Sequence, residues 1–179
     1  GTKKHKAFVG SIQNRLPGAR QLMELFQSLW NPEAEYYDWI MPDGHHVHIP
    51  VMEVVKKKIE IDEYHHMTFN YQTTIVKPQT KGRALAANIV HSVDGYVARE
   101  MIRRANDQGF QLGSIHDCFY AHPNYMNQVR QNYIDILAEV SMMNLVEDIV
   151  SQHTGKPFIY QKMSNDLSTE IRQSEYALS

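Results

Sequence analysis

The stretch Ser114–Tyr120 reads Ser-Ile-His-Asp-Cys-Phe-Tyr and places an acidic residue, Asp117, between two short extended segments. The segments 110–115 and 118–121 both carry the β-branched and aromatic side chains that are typical of strands. His122-Pro123-Asn124 ends the second segment. The pattern therefore predicts a tight hairpin with Asp117 at its turn. A carboxylate at such a bend is costly to desolvate unless a positive charge lies beside it, and a bound metal ion is one candidate.

The rest of the sequence predicts helices and hairpins on both sides of this turn. The elements expected, in order, are a helix over 18–30, a hairpin over 36–50, a hairpin over 56–76, a helix over 84–107, the Asp117 hairpin and a long helix from about Pro123. This order predicts an α+β fold with antiparallel pairing, because a parallel sheet needs strands and helices to alternate. The side chains expected to be buried on the last two helices are Val90, Val93, Val97 and Met101, and then Tyr125, Met126, Val129, Tyr133, Ile136, Leu137 and Val140.

Composition bounds the class of protein. Of the 179 residues, 42% are hydrophobic and 21% charged, as in a soluble globular domain. No apolar run approaches the roughly 20 residues that cross a bilayer. The single cysteine, Cys118, excludes an internal disulfide and fits a reducing compartment. The net charge of −2 leaves nucleic-acid binding open. The first residue is Gly1 rather than Met, which suggests a tag scar, a processed product or a piece of a longer protein.

Asp117 by itself supports two interpretations. A magnesium site needs hard oxygen ligands held rigidly, and a short hairpin provides that rigidity. Aspartate at a turn also commonly bonds its own backbone and has no further role. The residue alone does not decide between these interpretations, so its neighbours along the chain matter.

Two neighbouring segments change the interpretation of Asp117. His91-Ser92-Val93-Asp94-Gly95 lies upstream, and Met126–Arg130 opens the helix downstream. In this order and spacing, the three pieces resemble the C-terminal part of the phage-type single-subunit RNA polymerases, a family that includes the mitochondrial polymerase. His116-Asp117-Cys118-Phe119 is similar to the family's palm motif C, and Trp39–Gly44 resembles a third family segment. The resemblance covers roughly residues 20–140.

The resemblance implies a fold and a domain organisation. It implies an antiparallel palm-type sheet with flanking helices, which is part of a right-hand polymerase. Residues 1–179 would form a single C-terminal palm region. Within it, 56–76 would be an inserted hairpin that resembles the promoter-reading hairpin, and 163–179 a polar tail expected at the surface.

The resemblance also implies the reaction, the site residues and the partners. The reaction is nucleotidyl transfer from NTPs to an RNA 3′ end on a DNA template, with two Mg²⁺ ions. Asp117 would be one of the two metal-binding aspartates, His116 would place the RNA 3′ end, and His91 would lie near that end and the minor groove of the hybrid. The family's other catalytic aspartate and its nucleotide-binding fingers helix are not found in this sequence. Remaining polymerase segments or a second subunit are therefore expected to supply them, and the chain alone is expected to be inactive.

The hairpin over 56–76 is the candidate for DNA contact. Lys56, Lys57 and Lys58 suit phosphates, and Asn70 and Gln72 suit adenine edges. Tyr64, His65 and His66 at the tip also have side chains that reach bases. An ordinary solvated hairpin, whose lysines discourage edge-to-edge pairing, is the alternative.

Two other features are expected to carry no chemistry. His45-His46-x-His48 lacks a nearby cysteine or acidic partner in the sequence, so a histidine-rich surface loop is expected rather than a zinc site. Cys118 is expected to be a small packing residue, because a thiolate is disfavoured beside a metal-binding carboxylate.

Two other functions remain open at this stage. One is a non-catalytic DNA-binding module with a degenerate palm, and the other is the palm of a related DNA polymerase, against which the His91 segment argues. The polymerase interpretation places the protein in the cytoplasm of an infected bacterial cell or, alternatively, in a mitochondrion. No membrane contact is expected.

Overall fold

A computed structural model describes Gly10 and residues 15–61, 66–78 and 83–175. Its elements are α1 (Pro17–Ser28), β1 (Tyr36–Ile40), β2 (His46–Pro50), β3 (Met52–Ile61), β4 (Met67–Pro78), α2 (Arg83–Asp107), β5 (Gly113–Ile115), β6 (Cys118–Tyr120), α3 (Met126–Met142), α4 (Leu145–Thr154) and α5 (Leu167–Gln173). The predicted order of helices and hairpins is confirmed, and with it the α+β class. The second hairpin is longer than the sequence indicated, since β3 begins at Met52 rather than near residue 56.

The strands pair only within their own hairpins. β1 pairs with β2, β3 with β4, and β5 with β6, each pair antiparallel. Across the described ranges, no strand joins two of these hairpins into a larger sheet. Antiparallel pairing is therefore confirmed, whereas a palm-type sheet remains a prediction.

Helix α2 takes part in two hydrophobic cores. The first core surrounds Trp39 and includes Leu85 and Ile89 of α2, with α1 and α4 packed around them. The second core contains Val97 and Met101 of the same helix, together with α3 and the arms of the β5–β6 hairpin. One continuous helix thus fixes the position of the β1–β2 hairpin relative to the hairpin that carries Asp117.

Polar contacts join α2 to α3. Gln108 and Asn132 exchange two amide hydrogen bonds of 2.9 Å, and Asn132 is buried. Arg104 pairs with Glu139 of α3 and also lies 3.5 Å from Glu100 on its own helix. Because both links bridge the same two helices, they hold α3 in register beside α2.

The start of α3 differs from the sequence prediction. A single 3₁₀ turn, Pro123–Tyr125, precedes the helix, which begins only at Met126. Tyr125 is 37% exposed and Met126 is 45% exposed, so their predicted burial is wrong. The 3₁₀ turn has a different number of residues per turn from an α-helix, and this changes the directions of the side chains that follow it. The Tyr125 ring still stacks on the buried Phe110, with 4.8 Å between the ring centres. Val129 and Ile136 are buried as predicted.

The face of α2 that was expected to be buried is only partly so. Val97 and Met101 are buried, but Val90 is 46% exposed, so its predicted burial is wrong. The first core instead receives Leu85, Ile89 and Ser92. These residues also keep helical spacing, which explains how both faces of α2 are used.

The C-terminal segment lies along α3. Arg172 of α5 pairs with Asp135, and the Arg130 guanidinium donates to the backbone carbonyl of Glu175 at 2.7 Å. Lys162 donates to the carbonyl oxygens of Ser141 and Met142 at 2.9 and 2.8 Å. The described residues 163–175 are largely exposed, and Arg172 and Glu175 attach them to α3.

The β1–β2 hairpin is held against α4 at its free edge. The Gln152 side-chain amide accepts from the backbone N–H of Ile40 at 2.7 Å and donates to the Ile40 carbonyl at 3.2 Å. A side chain of one element thus satisfies both backbone groups of a residue in another.

Candidate functional site

The turn that carries Asp117 is as short as a hairpin turn can be. Ile115 lies opposite Cys118, so His116 and Asp117 alone form the loop. His116 has a φ of 54°, in the left-handed region that glycine usually occupies. This conformation costs a histidine about 1 kcal/mol. Strained residues of this kind concentrate at functional sites.

The Asp117 carboxylate lies in contact with solvent. Its single contact among the described residues is a weak one, with the Cys118 Sγ at 4.0 Å, and no cationic side chain of the described residues lies within ion-pair distance. The desolvation cost inferred from the sequence is therefore absent, because the group is exposed rather than buried. The carboxylate oxygens remain accessible to a ligand. Cys118 is exposed as well, so its predicted packing role is wrong.

A cavity of about 480 Å³ opens beside this turn, between β6 and the first turns of α3. The residues that line it are Asp117, Cys118, Phe119, Met126, Asn127, Val129, Arg130 and Tyr133. Its size is within the range of small-molecule sites. It therefore places the carboxylate predicted to bind metal on one wall and polar side chains of α3 on another.

Tyr133 connects the turn with the segment 91–95. Its ring packs on Phe119, with 6.0 Å between the ring centres. Burial raises the pKa of the Tyr133 phenol, and the negative charges of Asp94 and Asp117 raise it further. Tyr133 therefore lies within electrostatic reach of Asp94 of α2 and of Asp117 of the hairpin. This position was not predicted, since Tyr133 falls on the helix stripe expected to be core.

The residues of the segment 91–95 have different roles. Ser92 is buried, and its hydroxyl accepts from the Trp39 indole N–H at 3.2 Å and donates to the Ile89 carbonyl at 2.7 Å. The His91 and Asp94 side chains are 74% and 70% exposed, with Nδ1 and Oδ2 3.8 Å apart. Ser92 thus builds the fold, while His91 and Asp94 face outward.

A second link joins the segment 39–44 to α2. The Arg99 guanidinium donates to both carboxylate oxygens of Asp43, at 2.5 and 3.2 Å. The hydrogen bond from Arg99 lowers the pKa of Asp43 below its usual range, against the opposing effect of burial. Together with the bond from Trp39 to Ser92, this pair attaches the β1–β2 hairpin to the helix that presents His91.

The β3–β4 hairpin presents two chemically different faces. Residues opposite each other in an antiparallel pair point to the same face, and successive pairs alternate. Lys56 lies opposite Gln72 and Lys58 opposite Asn70, so these four share a polar face. Lys57 lies opposite Tyr71 on the other face, beside Ile59 and Phe69. All of these side chains are exposed.

This alternation divides the residues predicted to contact DNA. Lys58, Asn70 and Gln72 come together on the polar face, whereas Lys57 belongs to the opposite one. His66 is exposed at the end of the hairpin, and Tyr64 and His65 lie outside the described residues.

The histidines of the β1–β2 hairpin are exposed. The His46 and His48 rings lie 6.4 Å apart, and His46 Nε2 is 3.0 Å from Asp38 Oδ2. Within the described ranges, no group of three or more His, Cys, Asp or Glu side chains is arranged to hold a metal ion. The same statement applies around Asp117, which fits Mg²⁺ as one oxygen ligand but does not complete a coordination shell.

A second cavity, of about 540 Å³, lies between α1, α2 and the chain that follows α3. Its lining is dominated by apolar side chains, among them Leu22, Phe26, Ile89, Val90, Val93 and Leu145. It therefore suits packing better than binding of a phosphate or a metal ion.

Comparison with protein families gives a match that covers nearly the whole chain. The family model described as DNA-dependent RNA polymerase matches residues 5–178, nearly the whole chain. Comparison with curated protein sequences gives no match. Among the described helices, none is both long and apolar enough to cross a membrane.

Proposed function

Because the chain belongs to the family of DNA-dependent RNA polymerases, we propose that it forms the motif C region of such an enzyme and supplies Asp117 as one of its metal-binding carboxylates. The observation that carries the proposal is the state of Asp117: exposed, free of a cationic partner among the described residues, and held on a strained two-residue turn beside a cavity. The two-residue turn requires a positive φ at His116, so it holds the exposed Asp117 carboxylate in a defined position at the mouth of the cavity.

The reaction joins an NTP to the 3′ end of RNA. The RNA 3′-hydroxyl attacks the α-phosphorus, and pyrophosphate leaves. Bound Mg²⁺ would supply charge stabilisation for the attacking and leaving oxygens. Asp117 contributes oxygen ligands from a rigid hairpin, His116 orients the RNA end beside it, and His91 contacts the hybrid from the outward face of α2. The chain thus supplies one metal-binding carboxylate and positions the RNA 3′ end.

The β3–β4 hairpin contributes DNA contacts in this proposal. Lys58 neutralises a phosphate, while Asn70 and Gln72 on the same face reach base edges in the major groove. Lys57 points to the opposite face and takes part in backbone attraction at most.

The remaining parts of the site come from outside this chain. Remaining polymerase segments, or a second subunit, supply the other catalytic aspartate and the nucleotide-binding fingers. In the assembled enzyme, the strand that carries that aspartate lies beside the Asp117 hairpin and completes a palm-type sheet. By itself, the chain is expected to give no RNA synthesis.

Replacement of Asp117 by asparagine in the assembled polymerase tests the proposal. Asparagine keeps the size of the side chain but lacks the charge that holds the cation. Because loss of even an outer-shell partner costs a metal site about 10–100-fold, Asp117→Asn should lower kcat for RNA synthesis by at least about a hundredfold. The measurement is primer extension on a DNA template at saturating NTP and Mg²⁺.

The matched control is Asp107→Asn, an exposed carboxylate at the end of α2 that pairs with Arg103. It should leave kcat within about twofold, as is usual for surface changes. RNA synthesis at a near wild-type rate in Asp117→Asn would overturn the proposal. Loss of DNA binding alone would instead favour a non-catalytic DNA-binding module. Use of deoxynucleotides in preference to ribonucleotides would contradict the polymerase class.

A further inference from the structure

Arg130 differs from the other paired arginines of the described structure. Arg20, Arg99, Arg103, Arg104 and Arg172 each form an ion pair with a carboxylate. Arg130 hydrogen-bonds to a neutral group, the backbone carbonyl of Glu175, at 2.7 Å. Within the described ranges, no carboxylate lies within ion-pair distance of its guanidinium. Its positive charge is therefore oriented but not neutralised.

The charged side chain of Arg130 faces the cavity beside Asp117. The side chain lines the cavity of about 480 Å³ beside Asp117, and it is the cationic member of that lining. Asp117 lines the same cavity without pairing with it. Two opposite charges that face one cavity without meeting leave room for a ligand that carries both a bound cation and an anion.

The other side chains of the wall suit the anion. Asn127 and Tyr133 line the cavity with hydrogen-bond donors, and among the described residues neither the Asn127 amide nor the Tyr133 hydroxyl has a hydrogen-bond partner. A planar guanidinium is the side chain that best matches the oxygens of phosphate, because it donates two parallel hydrogen bonds. The carbonyl of Glu175 occupies only one part of that group.

We propose that Arg130 binds a phosphate group of the substrate held at Asp117, either a phosphodiester of the growing RNA or the phosphates of the incoming nucleotide. This inference rests on the proposed function, because Asp117 must be a metal ligand for the cavity to receive these substrates. It assigns to α3 a binding role that the sequence did not indicate. Arg130 is a binding residue, whereas Asn127 and Tyr133 complete the wall.

The test is Arg130→Gln in the assembled polymerase, with binding and turnover measured separately. Binding of an RNA–DNA primer–template is followed by fluorescence anisotropy over a series of KCl concentrations without NTP. If the phosphate belongs to the RNA, loss of this contact should weaken binding about tenfold, since hydrogen bonds to charged groups are worth more than neutral ones. In that case the slope of log Kd against log salt should also fall by about 0.7 to 0.9.

Two further measurements identify the phosphate. If Arg130 contacts the RNA, one neutral methylphosphonate linkage near the primer 3′ end should weaken wild-type binding and leave Arg130→Gln unaffected. If it contacts the nucleotide, KM for NTP should rise about tenfold in Arg130→Gln while primer–template affinity is unchanged. Either result supports the proposal. Unchanged salt slope, primer affinity and NTP KM would overturn it.

A separate control tests whether Arg130 acts only by holding the C-terminal segment in place. Arg172→Gln removes the pair with Asp135 and loosens the same C-terminal segment without touching the cavity. It should leave the salt slope and KM unchanged. If Arg172→Gln reproduces the effects of Arg130→Gln, the role of Arg130 is structural and the inference fails. Asp117→Asn reports independently on the proposed function, since its kcat does not depend on Arg130.

Discussion

At the scale of the residue, the segment 91–95 shows how one motif combines two duties. Ser92 faces the core and satisfies the buried indole of Trp39, while His91 points to solvent. Helical spacing indicates that Ser92 shares a face with the core residues, because it follows Ile89 by three residues and Leu85 by seven. The resemblance implies a nucleic-acid role for His91 but gives no role in the core for Ser92.

The roles of Tyr133 and Arg130 could not be predicted from the sequence, for a different reason. Each is an ordinary helical residue, and its importance comes from the distance between α3 and the Asp117 hairpin. That distance is set by long-range packing of Phe119 and Phe110 in the second core. A pattern along the chain contains no such information.

The strain at His116 leads to a prediction for two substitutions. His116→Ala removes the imidazole but keeps a side chain at a φ of 54°, whereas His116→Gly removes both the imidazole and the strain. The glycine variant should be more stable than the alanine variant by about 1 kcal/mol, and both should synthesise RNA more slowly than wild type. Chemical denaturation and primer extension measure the two effects. Equal stability of the variants would show that the turn is not strained.

At the scale of the element, hairpins were easier to predict than the side chains they group together. Alternation of polarity located both arms of β3–β4, but their register depends on which residues pair across the turn. The observed register separates Lys57 from Lys58, although the two are neighbours in sequence. The start of α3 was misplaced because proline at 123 suits a 3₁₀ turn as well as the first turn of an α-helix.

The two faces of β3–β4 predict different effects for neighbouring lysines. In the assembled polymerase, Lys58→Ala should weaken promoter DNA binding and lower the slope of log Kd against log salt by about 0.9. Lys57→Ala should change the slope much less, because its side chain lies on the face of Tyr71. Each variant removes one positive charge, and the two positions are adjacent in sequence, so each variant is a control for the other. Equal slopes would mean that the polar face is not the face that meets DNA.

At the scale of the whole molecule, the sequence predicted the class and order of elements but not their assembly. Its local patterns define each hairpin, whereas a palm-type sheet needs strands from different hairpins to pair. In the described structure the three hairpins stay separate, and α2 connects two of them, β1–β2 and β5–β6, through two cores. If a strand from another segment completes the sheet, no pattern within these 179 residues can reveal it.

Two lowered pKa values predict how stability responds to acid. Hydrogen bonds from Arg99 and from Arg103 lower the pKa of Asp43 and of Glu100 in the folded chain. The unfolded chain therefore binds more protons as the pH falls past about 4, the ordinary range of these groups. Their contribution to the free energy of unfolding is complete above that pH and is lost as the pH falls through the lower, folded values.

Thermal unfolding of the chain between pH 3 and pH 7 checks this prediction. Asp43→Asn should lower the melting temperature at pH 7, and the gap to wild type should narrow below about pH 4. Glu33→Gln changes an exposed carboxylate outside any described ion pair and should leave the melting temperature nearly unchanged at both pH values. A gap of constant size for Asp43→Asn would mean that the pair with Arg99 does not depend on the Asp43 charge.

The two hydrogen bonds between the Gln152 side chain and the Ile40 backbone also bear on solubility. Ile40 is an exposed apolar residue on a strand edge, and its backbone N–H and C=O are the groups to which a stray strand would attach. The Gln152 amide occupies both groups in the way that a neighbouring peptide unit would. Because Gln152 lies on α4, this helix covers the part of the β1 edge at which another strand would pair.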